Sequence, residues 1–184
     1  MNKMEFRQCS IGGVVYGQDN KKETLAMMTH YESACEFGFL NPYATEKMCF
    51  FDREMALDLN SSRSEIVIEF LIALAVCHTI PNPKRQKMGE AIDVYYAASS
   101  PDEQALVSAA RDMGVVFLER SLSHLVIMVN RKRRVFQILQ LLEFDSNRKR
   151  MSVIVKTEEN EVVLYCKGAD RYYVLYFILI FMKL

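Results

Sequence analysis

The spacing of apolar residues predicts two helices in the middle of the chain. Residues 64–79 are apolar on most faces, which is typical of a buried core helix, and prolines follow its predicted end. Residues 101–113 carry apolar side chains at helical spacing. Ser100 provides an N-cap for this second helix, with Glu103 three residues later as in a capping box, and Gly114 provides a left-handed stop.

Most of the remaining pattern predicts strands joined by short turns. Residues 4–16 contain β-branched side chains and the pair Gly12-Gly13, which indicates a strand with a tight turn. Residues 81–90 are expected to form a polar, basic loop. Further strands are predicted at residues 93–99, 115–118, 125–129, 135–144, 151–156 and 161–167. Because few helices intervene, we expect an α+β fold, an antiparallel β-sheet flanked by helices.

Composition narrows the classes of function. A chain of 184 residues suits one domain, and 51% apolar with 25% charged residues is ordinary globular usage. The zero formal net charge gives the whole chain no attraction for nucleic acid or anionic lipid. Five cysteines without C-x-x-C spacing argue against a disulfide framework and a zinc site. The apolar runs at residues 66–76 and 172–184 fall short of the roughly 20 residues that a spanning helix needs.

The residues that could bind a ligand or take part in catalysis lie where predicted helices and strands end. The sequence contains neither G-x-x-x-x-G-K-[ST] nor G-x-G-x-x-G, so a P-loop and a dinucleotide fold are not supported. Its three histidines have no metal-ligand spacing, and His78 is expected to cap a helix or interact with the helix dipole. Polar clusters occupy residues 99–103, 144–150 and 167–170. Loops at the ends of a sheet can converge on one side, where ligand sites are usually built.

These clusters contain the parts of a nucleotide site. Phe144 offers an aromatic face for a base, and Glu103 an acceptor for an exocyclic amino group. Lys149, Lys167 and Ser146 could supply cations and a hydroxyl for phosphates. Plainer interpretations stay open: Glu103 completes a capping box, Phe144 is a core residue, and Gly168 is a turn glycine rather than one that lets a ligand approach. The basic run at residues 148–150 would then be a solvated surface or a nucleic-acid patch.

Three motifs together carry a resemblance to a known family. The segments A-S-S-P-D-E at residues 98–103, L-E-F at 142–144 with R-K-R-M-S-V-I-V at 148–155, and L-Y-C-K-G-A-D at 164–170 resemble consecutive signatures of the phospholipid flippases. These are the lipid-translocating branch of the P-type ATPases. L-A-V-C-H-T at residues 74–79 and M-E-F-R at 4–7 also match. The resemblance extends over residues 4–170 and is looser over 17–64.

The resemblance implies a nucleotide-binding domain inserted in the phosphorylation domain of a membrane pump. Phe144 would stack on adenine and Glu103 would line the base pocket, while Ser146, Lys149 and Lys167 would contact the nucleotide or its phosphates. The implied organisation has four segments, listed in order: residues 1–16, a strand leading from the phosphorylation domain; 17–63, a variable helical and loop segment; 64–170, the nucleotide-binding core; and 171–184, a divergent apolar tail.

Several motifs and domains of the family do not occur in this sequence, and these differences determine the activity that we expect. The D-K-T-G-T phosphorylation motif, the magnesium-binding aspartate segments, the actuator domain and the membrane helices do not occur in this sequence. We therefore expect a truncated domain that binds ATP without ATPase or transport activity alone, with no catalytic or metal-ligating residues of its own. It would lie on the cytosolic face of a membrane in the intact family. In the intact family, ATP acts together with magnesium. The partners there are phospholipid and the membrane, and the other pump domains are possible contacts.

The apolar tail leads to an expectation about the edge of the sheet, and the function of the chain has alternative interpretations. Without the family's next strand, the strand at residues 161–167 is expected to have an open edge beside the apolar tail. Three alternatives to a working ATP-binding domain stay open. They are a regulatory or dominant-negative fragment, a gene-model artefact, and a nucleic-acid binder that uses residues 131–134 and 148–150. Zero net charge disfavours the last of these.

Overall fold

A computed structural model describes residues 4–17, 43, 50, 52–88, 91–169 and 177–183 of the chain. Within these residues the regular elements are three helices and ten strands. The helices are α1 (Arg53–Asp58), α2 (Ser64–Val76) and α3 (Pro101–Asp112). The strands are β1 (Cys9–Ile11), β2 (Val14–Tyr16), β3 (Lys84–Met88), β4 (Ala91–Tyr95), β5 (Val115–Arg120), β6 (His124–Val129), β7 (Lys132–Asp145), β8 (Arg150–Lys156), β9 (Val162–Ala169) and β10 (Phe177–Lys183).

A six-stranded antiparallel sheet forms the largest element of the fold. Its strand order is β10-β9-β8-β7-β6-β5, so strands that are consecutive in sequence are neighbours in space. The pairs β1–β2 and β3–β4 form two separate antiparallel hairpins. Helix α2 contacts β5, β6, β9 and β10, and α3 packs on α2 and β5. This combination of antiparallel sheets and few helices agrees with the α+β class that the sequence predicts.

The core lies between α2, α3 and the sheet. Fully buried side chains from the helices, including Leu71 and Val107, meet those from the sheet, including Phe117, Ile127 and Val153. Burial of such a set drives the helices onto one face of the sheet, because each buried apolar side chain contributes about 1.5–3 kcal/mol relative to exposure. The ends of α2 and α3 are thereby fixed against the strands that carry the polar clusters.

Local signals explain where α3 begins and ends, and a distant arginine side chain explains where α2 ends. The Ser100 hydroxyl accepts a hydrogen bond from the Glu103 amide at 3.4 Å, and Gly114 follows α3 with a φ of 88°. Helix α3 therefore matches its prediction to within one residue. Helix α2 ends at Val76, three residues before its predicted end. There Arg120 donates to the carbonyls of Val76 and His78, so side-chain donors replace the helical hydrogen bonds.

Three further sequence predictions differ from the structure. The strand predicted at residues 93–99 ends at Tyr95. The expected loop at residues 81–90 is wrong in part, because Lys84–Met88 forms β3, paired with β4. The open edge expected on β9 is also wrong, because Phe177–Lys183 forms β10 and pairs along β9, with Ile180 opposite Cys166. The predicted variable segment, residues 17–63, lies mostly outside the described residues.

Among the described residues, no helix is both long enough and apolar enough to cross a bilayer.

Candidate functional site

A cavity of about 470 Å³ opens where five elements end or begin. It lies at the C-terminal end of α2, the N-terminal end of α3, the end of β7, the start of β8 and the end of β9. All three polar clusters of the sequence therefore converge here. The cavity is lined by Thr79, Ser99, Ser100, Asp102, Glu103, Leu106, Glu143, Phe144, Met151, Lys167 and Gly168.

A buried ion pair between Glu103 and Lys167 lies at the bottom of the cavity. These two residues and Thr79, which donates hydrogen bonds to Glu103, are called the floor below. The Lys167 ammonium donates to Glu103 Oε1 at 3.0 Å, and the two residues are only 6% and 8% exposed. Thr79 donates to the same carboxylate through its hydroxyl, 2.8 Å from Oε2, and through its amide, at 3.2 and 3.3 Å from the two oxygens. Each buried charge thus has its counter-charge and hydrogen bonds, as burial of ions requires.

His78 lies directly beneath the floor and is fully buried. Its Nε2 donates to the Ala75 carbonyl at 2.9 Å, and its Nδ1 accepts from the Ile80 amide at 3.1 Å. These partners fix one neutral tautomer. Burial, reinforced by the cations of Arg120 and Lys167, holds the pKa of His78 well below its usual range. The capping role expected for His78 is therefore present, but a neutral ring performs it and the expected charge–dipole interaction does not arise.

Cys77 ties the floor to the sheet. Its thiol lies 3.6 Å from the carbonyl of Tyr165 and 3.9 Å from that of Met151, so the end of α2 is linked to β8 at a cavity-lining residue and to β9 two residues before Lys167. Burial raises the pKa of the Cys77 thiol to about 12. The thiol therefore stays protonated, and it is a weak donor rather than a reactive nucleophile.

Phe144 and Glu143 form one side of the cavity mouth. Adjacent side chains of a regular strand point to opposite faces, yet both of these line the cavity. The register between β7 and β8 shifts between Leu142 and Asp145, which breaks the alternation at this point. The Phe144 ring is 64% exposed, so it is not a core residue, and its face is available to a ligand.

The turn between β7 and β8, residues 146–149, carries the remaining predicted site residues. Asp145 holds it through a side-chain oxygen 2.9 Å from the amides of Asn147 and Arg148. The Lys149 amide donates to the Asp145 carbonyl at 2.6 Å, with a left-handed φ of 54° at Lys149. Ser146 and Lys149 are exposed and lie outside the cavity lining. The structure thus brings Glu103, Phe144 and Lys167 together, and places Ser146 and Lys149 on the adjacent turn.

Gly168 is explained by strand packing. It pairs with Arg150 at the start of β8, and a Cβ at this position would lie 2.6 Å from both the Lys149 carbonyl oxygen and the Arg150 Cβ. The glycine therefore allows β8 to approach β9 closely, whether or not a ligand is present.

Sequence reasoning missed several lining residues. Thr79, Asp102 and Glu143 all fall inside the motifs quoted for the family resemblance, which is the signal that could have found them. Met151 also lies inside a quoted motif, and it is 2% exposed at the start of β8. Within the described residues there is no group of three or more His, Cys, Asp or Glu side chains placed to hold a metal ion.

The two basic runs of the sequence are far apart in the structure. Residues 131–134 lie at the start of β7, and residues 148–150 follow its end. A strand of 14 residues separates them by roughly 40 Å. Arg133 in the first run forms an ion pair with Glu119. The runs therefore do not join into one continuous basic surface of the kind that a nucleic acid would need.

Comparison with known proteins yields one family and a consistent set of relatives. A model of the family described as P-type ATPase, cytoplasmic domain N, matches residues 67–174. The phospholipid-transporting ATPase IK of Mus musculus is 37% identical over 169 residues, which cover 92% of this chain and 12% of that protein. The phospholipid-transporting ATPase IC of Homo sapiens is 38% identical over 169 residues, covering 92% of this chain and 13% of that protein. The chain thus spans only a small part of the length of these relatives.

Proposed function

Because this chain belongs to the P-type ATPase family and corresponds to its cytoplasmic domain N, we propose that it is the ATP-binding domain of a phospholipid-transporting pump. The observation that carries the proposal is the cavity. It gathers an exposed aromatic ring, Phe144, and a buried ion pair, Glu103 with Lys167, from three motifs that are distant in sequence. A cavity in which apolar side chains and convergent polar groups line one space is typical of small-molecule sites.

In the proposed complex, different parts of ATP occupy different parts of the site. Adenine enters the cavity and stacks on Phe144, with the apolar side chains of Leu106 and Met151 beside it. The Lys167 ammonium contacts the nucleotide from the floor. The triphosphate leaves through the mouth towards the turn at residues 146–149, where the Ser146 hydroxyl and the Lys149 ammonium act as donors.

The proposed activity of these 184 residues is binding without hydrolysis. The sequence contains no D-K-T-G-T motif, so it offers none of the family's acceptor aspartates for phosphoryl transfer. In the whole pump, magnesium would accompany ATP, and phospholipid would be the transported substrate. The domain would then act by presenting ATP to the phosphorylation domain on the cytosolic face of the membrane.

Titration of the 184-residue chain with ATP, followed by calorimetry and NMR, tests this proposal. We expect saturable binding that weakens about fivefold or more in Phe144→Ala, because aromatic stacking is worth about 1 kcal/mol. Folding should be unaffected, since the ring is largely exposed. Leu139→Ala is the matched control, an exposed apolar residue of the same strand outside the cavity. A folded chain that does not bind ATP, or equal losses in both variants, would refute the site.

A further inference from the structure

A tight turn at Cys77 ends α2 directly beside the cavity. Cys77 has a φ of −85° and a ψ of 74°, and the amide of His78 donates to the carbonyl of Val76 at 3.0 Å. These values are typical of an inverse γ-turn. The chain leaves the helix axis at this turn, so the carbonyls of Val76 and His78 lose their helical partners and need other donors.

Arg120, at the end of β5, supplies donors for both carbonyls. Its Nη1 donates to the carbonyl of His78, and its Nη2 donates to that of Val76 at 3.4 Å. Its own amide donates to the side-chain oxygen of Asn82, which fixes the point from which the half-buried side chain extends. Because a guanidinium presents its donors in a rigid planar fork, this one side chain holds the two carbonyls in a fixed relative position.

A single peptide group connects Arg120 to the floor. The carbonyl of this group belongs to His78 and accepts from Arg120. Its N–H belongs to Thr79 and donates to the two carboxylate oxygens of Glu103 at 3.3 and 3.2 Å. Since a peptide group is planar, the guanidinium that fixes the carbonyl also fixes the direction of the N–H. The cation at one end and the anion at the other polarise the group in the same sense, which strengthens both hydrogen bonds.

We propose, resting on the proposed ATP-binding function, that Arg120 is a positioning residue for the nucleotide site. Arg120 does not line the cavity, so it acts through the peptide group of residues 78–79 and not by touching ATP. That group orients the Glu103 carboxylate, which in turn holds the Lys167 ammonium at 3.0 Å. Arg120 thereby determines where the ammonium stands when the nucleotide enters.

The test uses Arg120→Lys in the full chain, with ATP as the probe. Lysine keeps the positive charge but lacks the planar fork. We expect the affinity for ATP to fall about five- to tenfold, as the weakening of a hydrogen bond to a charged group allows. In NMR spectra without ATP, the Thr79 amide proton should move upfield as its hydrogen bond to Glu103 lengthens. A residue that only stabilised the fold would change neither quantity in the folded protein. Arg133→Lys, at an exposed arginine paired with Glu119, is the control and should also change neither.

A measurement on the wild-type chain decides the matter if Arg120→Lys does not fold. The Nε of Arg120 is buried and has no hydrogen-bond partner among the described residues, so its N–H signal reports on the guanidinium itself. Saturation with ATP should shift this signal and leave the Nε signal of Arg133 in place.

Three results would overturn the proposal while leaving ATP binding intact. They are an Arg120 Nε signal that ATP does not shift, an unchanged affinity for ATP in folded Arg120→Lys, and a loss of affinity without movement of the Thr79 amide proton. Failure of the wild-type chain to bind ATP would instead refute the proposed function.

Discussion

The floor of the cavity and the β7–β8 turn beside its mouth are built in opposite ways. In the floor, Glu103 and Lys167 are almost completely buried and each polar group has a partner. At the turn and the mouth beside it, Phe144 is 64% exposed, and Lys149 is exposed as well. The floor joins elements that are distant in sequence, whereas the turn is a local hairpin held by Asp145.

This difference predicts where each substitution acts. A change in the floor removes contacts that hold α2, α3 and β9 together, so stability should respond before binding does. A change at the turn or mouth removes contacts that only a ligand would use, so binding should respond and stability should not. A measurement of both quantities for variants of each region therefore tests the comparison.

The largest effect is expected for Lys167→Met. The substitution leaves the buried carboxylate of Glu103 without its counter-charge, and loss of one partner of a buried pair typically costs about 3–5 kcal/mol. We expect a fall of this size in the free energy of unfolding, measured by urea denaturation. From the sequence alone, Lys167 would have been expected to affect nucleotide contact only.

A double variant separates the charge from the packing in this prediction. Glu103→Gln combined with Lys167→Met removes both charges, and it should recover part of the stability that Lys167→Met loses. Lys132→Met, at an exposed cation of β7, is the control and should change the free energy of unfolding by less than about 0.5 kcal/mol. If Lys167→Met changes stability as little as Lys132→Met, the floor is not the buried ion pair described above.

A smaller effect on stability is expected at alkaline pH, and it also arises from the buried region around the floor. Burial raises the pKa of Cys77 from 9.0 to about 12, so between these values the unfolded chain releases a proton that the folded chain keeps. Stability therefore falls as pH rises, by up to about 1.4 kcal/mol per pH unit for this group. Urea denaturation at pH 8 and 10.5 should show a loss in the wild type that exceeds the loss in Cys77→Ser by roughly 2 kcal/mol.

The serine variant suits this comparison because it keeps a donor for the carbonyls of Met151 and Tyr165 but does not titrate in this range. Other groups with raised pKa values, such as Tyr16 at about 12, contribute equally to both proteins and cancel. Equal losses in the two proteins would mean that the Cys77 thiol titrates normally and that water reaches the space beneath the floor.

The same contrast explains what could be predicted from the sequence. Helix α3 was predicted to within one residue because its signals, Ser100 and Gly114, act locally. Strands β5 to β9 of the large sheet followed from alternation and turn residues, whereas β10 was not predicted. Strand β3 was missed because its described side chains, at residues 84–86, are all exposed polar groups and so give no apolar alternation.

The floor and the mouth were less predictable for a different reason. The contact between Glu103 and Lys167 joins residues 64 positions apart, and no local pattern encodes it. The shared orientation of Glu143 and Phe144 depends on a shift in strand register, which periodicity arguments assume to be absent. The sequence motifs thus contain Glu103, Phe144 and Lys167, which the structure brings to one cavity, and only packing determines which of them are already engaged. The roles assigned to these residues towards ATP stay predictions.

The smallest effect is expected at the turn itself, for Lys149→Ala. An exposed charge contact is worth about 0.2–1 kcal/mol, so the affinity for ATP should fall at most about fivefold, with no change in stability. The loss should shrink in high salt, because an exposed interaction is screened. Arg131→Ala is a closely matched control: Arg131 is an exposed cation with a φ of 62° in the hairpin at the opposite end of β7. Equal losses in the two variants would indicate a general effect of charge, whereas a loss confined to Lys149→Ala and abolished by salt would place a phosphate at the turn.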